Sequence, residues 1–297
     1  MSQEDAGEEE GAIEFSSSQG IARKKTASIA AQPSKEVLIE AKDEKRALAL
    51  SDMERADLIK SMARFLVMKG LNHEPVTKKE MMDVVLGPTY RGKGVLKFVL
   101  SKANTRITES LGFRMNAVSA DSPYFVKDVF YVMNTLNNSD HSVDILRGQG
   151  QAGRGLLTIV LCVIYCSSDN VVAEDDLFKK LHNGLDKRIP ERPWLTSGSG
   201  SSKTKCKAVV EGLGDMHELL ATFVRQHYLA KQTVTKRTSD FGSESIPGYK
   251  MGARGALEVG NLQIATLMAE TMGQTVDPTA LLELDPSQGF SQINSQD

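Results

Sequence analysis

Between positions 177 and 207 the chain carries eight cationic side chains, Lys179, Lys180, Lys187, Arg188, Arg192, Lys203, Lys205 and Lys207, against two acids, Asp186 and Glu191. A net of +6 in 31 residues suits the neutralisation of a polyanion, in which lysines and arginines displace counterions from phosphates without reading bases. The competing reading is a solvated helix face or loop. On the first reading Lys179, Lys180, Lys187, Arg188, Lys203, Lys205 and Lys207 contact duplex DNA with no sequence preference. Lys231, Lys236 and Arg237, from a hairpin expected further along, join them.

Other groupings imitate chemistry without its context. Gly148-Gln149-Gly150-Gln151-Ala152-Gly153 matches the dinucleotide fingerprint, yet its flanks are polar coil and a helix instead of two parallel strands, so it reads as a linker. The stretch from Gly198 to Thr204 resembles a phosphate loop, but Ser202 occupies the glycine position before Lys203 and no apolar strand precedes it. Cys162 and Cys166 lie one turn apart on an apolar helix, which favours burial as small hydrophobes over metal ligation. With Cys206 they are too few for a disulfide framework. The five histidines, His73, His141, His182, His217 and His227, include no pair at ligand spacing. No catalytic constellation is visible, and no metal, cofactor or small-molecule substrate is expected.

Two further features point to partners. Phe65, Leu66, Val67 and Met68 are four consecutive apolar residues, more than one helix buries against a single core. Near the C-terminal end Ser287-Gln288, Ser291-Gln292 and Ser295-Gln296 recur at a spacing of four. Serine before glutamine resembles the sites of DNA-damage-response kinases, which makes Ser287, Ser291 and Ser295 candidate phosphorylation sites. The plainer reading is a polar, Gln-rich end.

The elements that must position these residues form a repeating order. The 297 residues suffice for one large or two small domains, and 40 % apolar composition supplies a core. Residues 1–52 and 272–297 each carry a net of −4, so with the total at −2 the residues between them carry +6. Residues 1–52 are expected to be a disordered acidic tail, able to become helical from about Lys35, and 273–297 a second one. From Met53, Leu58, Met62, Phe65 and Leu66 give a helical period that Gly70 stops. Thr77-Lys78-Lys79-Glu80 has the form of a capping box opening a second helix, closed by Gly87-Pro88. A third helix, Val95 to Leu111, precedes two β-rich stretches, Phe113 to Val118 and Phe125 to Met133. Three helices and a hairpin outline a winged helix.

The order recurs with helices at Leu156–Cys166, Glu174 to Gly184 and Met216 to Leu229. Strands follow near 232–235 and 249–251, and a last helix spans Leu257 to Met272. The fold class is therefore mainly α with small β-hairpin wings, as tandem winged helices. The boundaries are 53–136 and 154–272, joined by a linker at 137–153, with a basic insert at about 186–207. The acidic start lacks a signal-peptide pattern, and the longest apolar run, Leu156 to Cys166, falls well short of the roughly 20 residues a membrane span needs, so a soluble intracellular protein is expected.

Four stretches carry a family resemblance: ARFLVMKGLNHEPVTKKEMMDVVLG (63–87), LGFRMNAV (111–118), GRGLLTIVLCVIYCSSDNVVAEDDLFKKL (153–181), and FVRQHYLAKQTV with YKMGARGALE (223–234 and 249–258). Together they resemble the MAGE homology domain over about 53–272. The chain departs from it at Ala253, where the family has proline, and at Leu66-Val67, where it has a double leucine. The divergence and the short acidic N-terminal tail look more like the single ancestral MAGE of the SMC five/six chromosome-maintenance complex than a tumour-antigen paralogue. That resemblance implies a non-enzymatic, nuclear, chromatin-associated scaffold that bridges a RING-type ubiquitin ligase subunit and a kleisin subunit and binds double-stranded DNA. It also implies that Leu66 and Val67 touch the RING partner. The alternative is a ligase regulator without DNA contact.

Overall fold

The computed structural model describes residues 41–120, 122–135, 151–196, 203–205, 208–210, 212–237 and 243–274. Ser287, Ser291, Ser295, Lys207 and nearly all of the expected linker lie outside the described residues.

Folding begins earlier in the chain than the expected boundary at Met53. Helix α1 (Ala41–Leu48) packs on the first unit, with Ala47 and Leu50 buried in its core. The next helix, α2 (Asp52–Leu71), is opened by a capping box in which the Ser51 side chain accepts from the Glu54 N–H and the Glu54 carboxylate accepts from the Ser51 N–H at 2.9 Å. Gly70 does not stop α2 but lies inside it. A Cβ there would come within 2.8 Å of Val132 Cγ1, so the glycine lets the helix close on the sheet.

The Thr77–Glu80 box expected from the sequence is present. It joins β1 (Val76–Thr77) to α3, which runs from Lys78–Glu80 into a π-helical Met81–Leu86. Gly87, at φ +60°, turns the chain into the single turn α4 (Gly87–Tyr90). In α5 (Leu96–Leu111), Val99, Ala103 and Ile107 are buried below Val95 as the period requires, while Leu111 is half exposed and left-handed Gly112 ends the helix. Strands β2 (Phe113–Asn116) and β3 (Val129–Asn134) pair antiparallel, and β1 adds to the other edge of β3.

The second unit repeats this plan. It contains α6 (Gln151–Tyr165), β4 (Val171–Ala173), α7 (Glu174–Gly184), α8 (Met216–Arg225), β9 (Leu229–Arg237) and β10 (Ser243–Met251). Between α7 and α8 lie two small strand pairs, β5 (Trp194–Thr196) with β6 (Lys203–Lys205) and β7 (Val209–Val210) with β8 (Gly214–Asp215). The three-stranded sheet has the order β4-β10-β9, so the wing is tied to the strand that leads into α7. Strand β4 was not expected, since three residues are too short for an alternation to register. The wing strands are nine residues each, well beyond the expected stretches.

Two further sequence expectations are corrected. Helix α8 stops at Arg225 instead of Leu229, because His227 takes a φ of +62° in a turn. The last helix is two, α9 (Ala253–Glu258) and α10 (Gly260–Thr271), broken at left-handed Gly260. Each unit has its own core. Leu58, Met62, Leu66, Val99 and Val132 fill the first, and Val160, Leu161, Leu177, Phe178, Leu220 and Ile264 the second.

Candidate nucleic-acid interface and interdomain seam

Helices α7 and α8 and the wing are held in place by buried polar groups. Glu174, buried at the start of α7 where the helix dipole favours an acid, accepts from the Tyr249 hydroxyl of β10 at 2.9 Å and from Trp194 Nε1 of β5 at 3.2 Å. Burial pushes the Tyr249 hydroxyl well above its ordinary range and keeps it a donor. One carboxylate thereby fixes the wing and the start of the basic insert relative to α7.

The cationic side chains project from this frame. Lys179 and Lys180 are exposed on α7, and Lys187, Arg188 and Arg192 are exposed just after it. Lys180 Nζ donates to Ser167 Oγ at 3.1 Å, whereas Lys179, Lys187, Arg188 and exposed Lys231 of β9 make no ion pair among the described residues. Lys203 and Lys205 lie on β6, in register with Thr196 and Trp194. Lys236 and Arg237 end β9, in register with Glu244 and Ser243.

The two halves meet in a polar seam that the sequence reading did not assign. Its centre is Arg254 in α9, fully buried at 0 % exposure. Its Nη2 donates to the Val132 carbonyl of β3 at 2.7 Å, crossing from the second half to the first, and its Nε donates to Glu258 Oε1 at 2.7 Å. The guanidinium carbon lies 5.6 Å from the centre of the Tyr228 ring. Gly252 allows this, because a Cβ there would collide with the His227 carbonyl, which accepts from the Arg254 N–H at 2.9 Å. Ala253 follows at the first helical position, where a proline is also tolerated because the N–H needs no helical acceptor.

Around Arg254 one donor order satisfies every contact. Arg154 donates to His73 Nε2, His73 Nδ1–H donates to the Tyr228 oxygen at 3.1 Å, and the Tyr228 hydroxyl donates to Glu258. The Tyr131 hydroxyl donates to His227 Nδ1 at 2.8 Å, and Gln226 Nε2 donates to the Asn72 carbonyl at 3.2 Å. Both histidines are neutral in this arrangement. Burial, reinforced by the Arg154 and Arg254 charges and opposed by Glu258, lowers His73 to about 4. Burial and Arg254 lower His227.

A pH dependence follows from the sign of these shifts. An unfolded histidine titrates near 6.5, so between that pH and about 4 the unfolded chain binds a proton that folded His73 resists. The seam's contribution is complete above the unfolded value and is lost as pH falls through this window. Urea unfolding at pH 7.5, 5.5 and 4.5 is expected to show a falling midpoint, and His73→Gln to flatten part of that fall. A parallel decline in the variant would contradict the assignment.

The expected RING contact separates into unlike residues. Leu66 is wholly buried in the first core at 0 % exposure, and Val67 is half-buried against the same core. Toward the end of α2, Met68 and Leu71 are exposed, at 59 % and 58 %.

Of the two glycine-rich stretches, 151–153 lies in α6 and Lys203-Thr204 lies on β6, while 148–150 and 198–202 fall outside the described residues. Cys162 is half-buried with its thiol pushed up by burial, but Cys166 is exposed, against expectation, with Sγ 3.7 Å from Met268 Sδ. Among the described residues no group of three or more His, Cys, Asp or Glu could hold a metal ion. No helix among them is long and apolar enough to cross a membrane.

The fold defines a tandem winged-helix protein whose halves are joined through a buried arginine. The MAGE homology domain matches residues 62–262, and the chain belongs to that family. MAGE domains are in general non-catalytic. Among solved structures, a chain titled "Nse1-Nse3-Nse4 complex" is similar in fold, with a TM-score of 0.59 and 16 % identity, over 80 % of this chain and 100 % of that one. No curated protein matches the chain by sequence.

Proposed function

We propose that this chain is the MAGE subunit, the third non-SMC element, of an SMC five/six complex. It bridges a RING-type ubiquitin ligase subunit and a kleisin subunit on chromatin in the nucleus, and it grips double-stranded DNA without reading its sequence. The observation that carries the DNA part is the set of exposed cations Lys179, Lys187, Arg188 and Lys231, without an ion pair among the described residues, on α7, the insert and the wing of the second winged helix. Cations without anionic partners cost self-repulsion, which a phosphate backbone relieves. Family membership and the fold shared with a chain of an Nse1-Nse3-Nse4 complex support the assembly part.

The test is binding of the full chain to random-sequence duplexes over a salt series. Affinity is expected to fall log-linearly with salt, with a slope of about −0.9 per phosphate neutralised. Lys179→Glu with Lys180→Glu and Lys187→Glu is expected to weaken binding roughly equally on every sequence. A chain that co-purifies with its ligase but retards no duplex would be a ligase regulator only.

On the RING side, the proposed surface is the end of α2, where Val67 adjoins exposed Met68 and Leu71. Leu71 is four positions from Val67 and three from Met68, so it neighbours both on the helix surface.

A further inference from the structure

The first winged helix has a cationic surface of its own. Lys78 and Lys79 of α3, Arg91 after α4 and Lys127 at the end of the β2–β3 loop line one open groove of about 290 Å³, in which Asp128 is the lining acid. Arg91 is paired with Asp83 at 2.8 Å. Lys78, Lys79 and Lys127 are exposed, with no side-chain hydrogen bond or ion pair among the described residues. Lys78 and Lys79 also occupy the first two helical positions after the Thr77 cap, where the helix dipole disfavours cations. The placement is unfavourable through mutual repulsion and through the dipole, and a bound anion relieves both.

The surface continues beyond Arg91. The turn from Arg91 to Gly94 leads to Arg46 of α1, whose guanidinium occupies the space a Cβ on Gly94 would need, 2.6 Å from Nη1. There Arg46 lines a second open groove of about 500 Å³ with Lys42 and Lys45. Two cation-lined grooves thus flank one turn.

We infer that this strip is a second phosphate-binding surface, which holds the backbone of duplex DNA on the first winged helix independently of the second-half patch. It deepens the proposed DNA contact and rests on that reading. Among the described residues no aromatic side chain lines either groove. Tyr90, next to Arg91 in sequence, gives its hydroxyl to Glu54 at 2.8 Å and its ring face to Lys93 at 4.6 Å, so its ring is already engaged and is no free platform for unpaired bases. Charges on flexible stems spread over two grooves suit a repeating phosphate array better than the few fixed carboxylates of an acidic peptide.

The experiment measures anisotropy of the full chain with a labelled random-sequence duplex across salt concentrations. The variant is Lys78→Glu with Lys79→Glu and Lys127→Glu. Glutamates in the first turn suit the helix dipole, and a Lys→Gln triple variant with a thermal melt controls for folding. The expected result is a loss of roughly tenfold or more at low salt and a salt slope shallower by about 2 to 3, one increment of about 0.9 per lysine. Combined with the Lys179, Lys180 and Lys187 substitutions, the two losses multiply. Unchanged affinity and slope in the first-half variant, with binding lost in the second-half variant, would overturn this inference and leave the proposed function standing. Absence of duplex binding by the unaltered chain would overturn both. Capture of poly-glutamate but not duplex, abolished by the first-half variant, would assign the strip to an acidic protein segment and overturn the inference.

Discussion

Arg254→Met is expected to destabilise the protein by about 3–5 kcal/mol, the usual result of removing one partner from a buried, hydrogen-bonded charge pair. The side chain is wholly buried, and its loss leaves the Val132 carbonyl without its donor and Glu258 without the cation beside it. Two winged helices with separate cores then lose the one fully buried charge among the side chains that tie them across the seam. Urea unfolding followed by intrinsic fluorescence is expected to change from one transition to two. Limited proteolysis is expected to release the halves sooner. Arg254→Lys recovers only part of the loss, since an ammonium cannot serve Val132 and Glu258 at once with the geometry of the planar fork. An Arg254→Met protein unfolding in one transition at the original midpoint would show that the halves are held by other contacts.

The second large effect is expected at Leu66. Leu66→Ala should cost about 2–5 kcal/mol, as for other buried leucines. Leu66→Asp should unfold the first winged helix outright, because an ionised carboxylate at 0 % exposure has no partner. Met68→Asp with Leu71→Asp, on exposed positions of the same helix, should shift stability by no more than about 0.5 kcal/mol. That variant should nevertheless lose co-purification of the RING subunit. Thermal melts and affinity purification of the full chain separate the two outcomes. Retention of the ligase by the folded Met68 and Leu71 variant would place the RING contact elsewhere.

The contrast between Leu66 and Met68 shows where sequence reading stops. Four consecutive apolar residues are more than one helix face buries, and the surplus is exposed as expected. Which of the four is surplus depends on the rotation of α2, set by its approach to β3 at Gly70, and that approach uses Val132, 62 positions away. A local pattern carries no information about so distant a neighbour.

Where a local interaction decides the structure, the sequence was sufficient. The Thr77–Glu80 box, the buried ladder of α5 and the start of α7 at Glu174 depend on residues within a turn or two, and each stands where the spacing requires. The tandem order of helices and wings was legible for the same reason, as were the excess and the position of the cations, which are properties of composition. The tertiary structure alone decided the rest. It folded 41–50 onto the first core, joined the wing to β4, and placed three polar groups on buried Glu174 and Arg254 that come from distant strands. The Gly-x-Arg turn was visible as letters, but its meaning was not. A buried charge is tolerated only where partners converge on it, and that convergence exists only once both halves have folded.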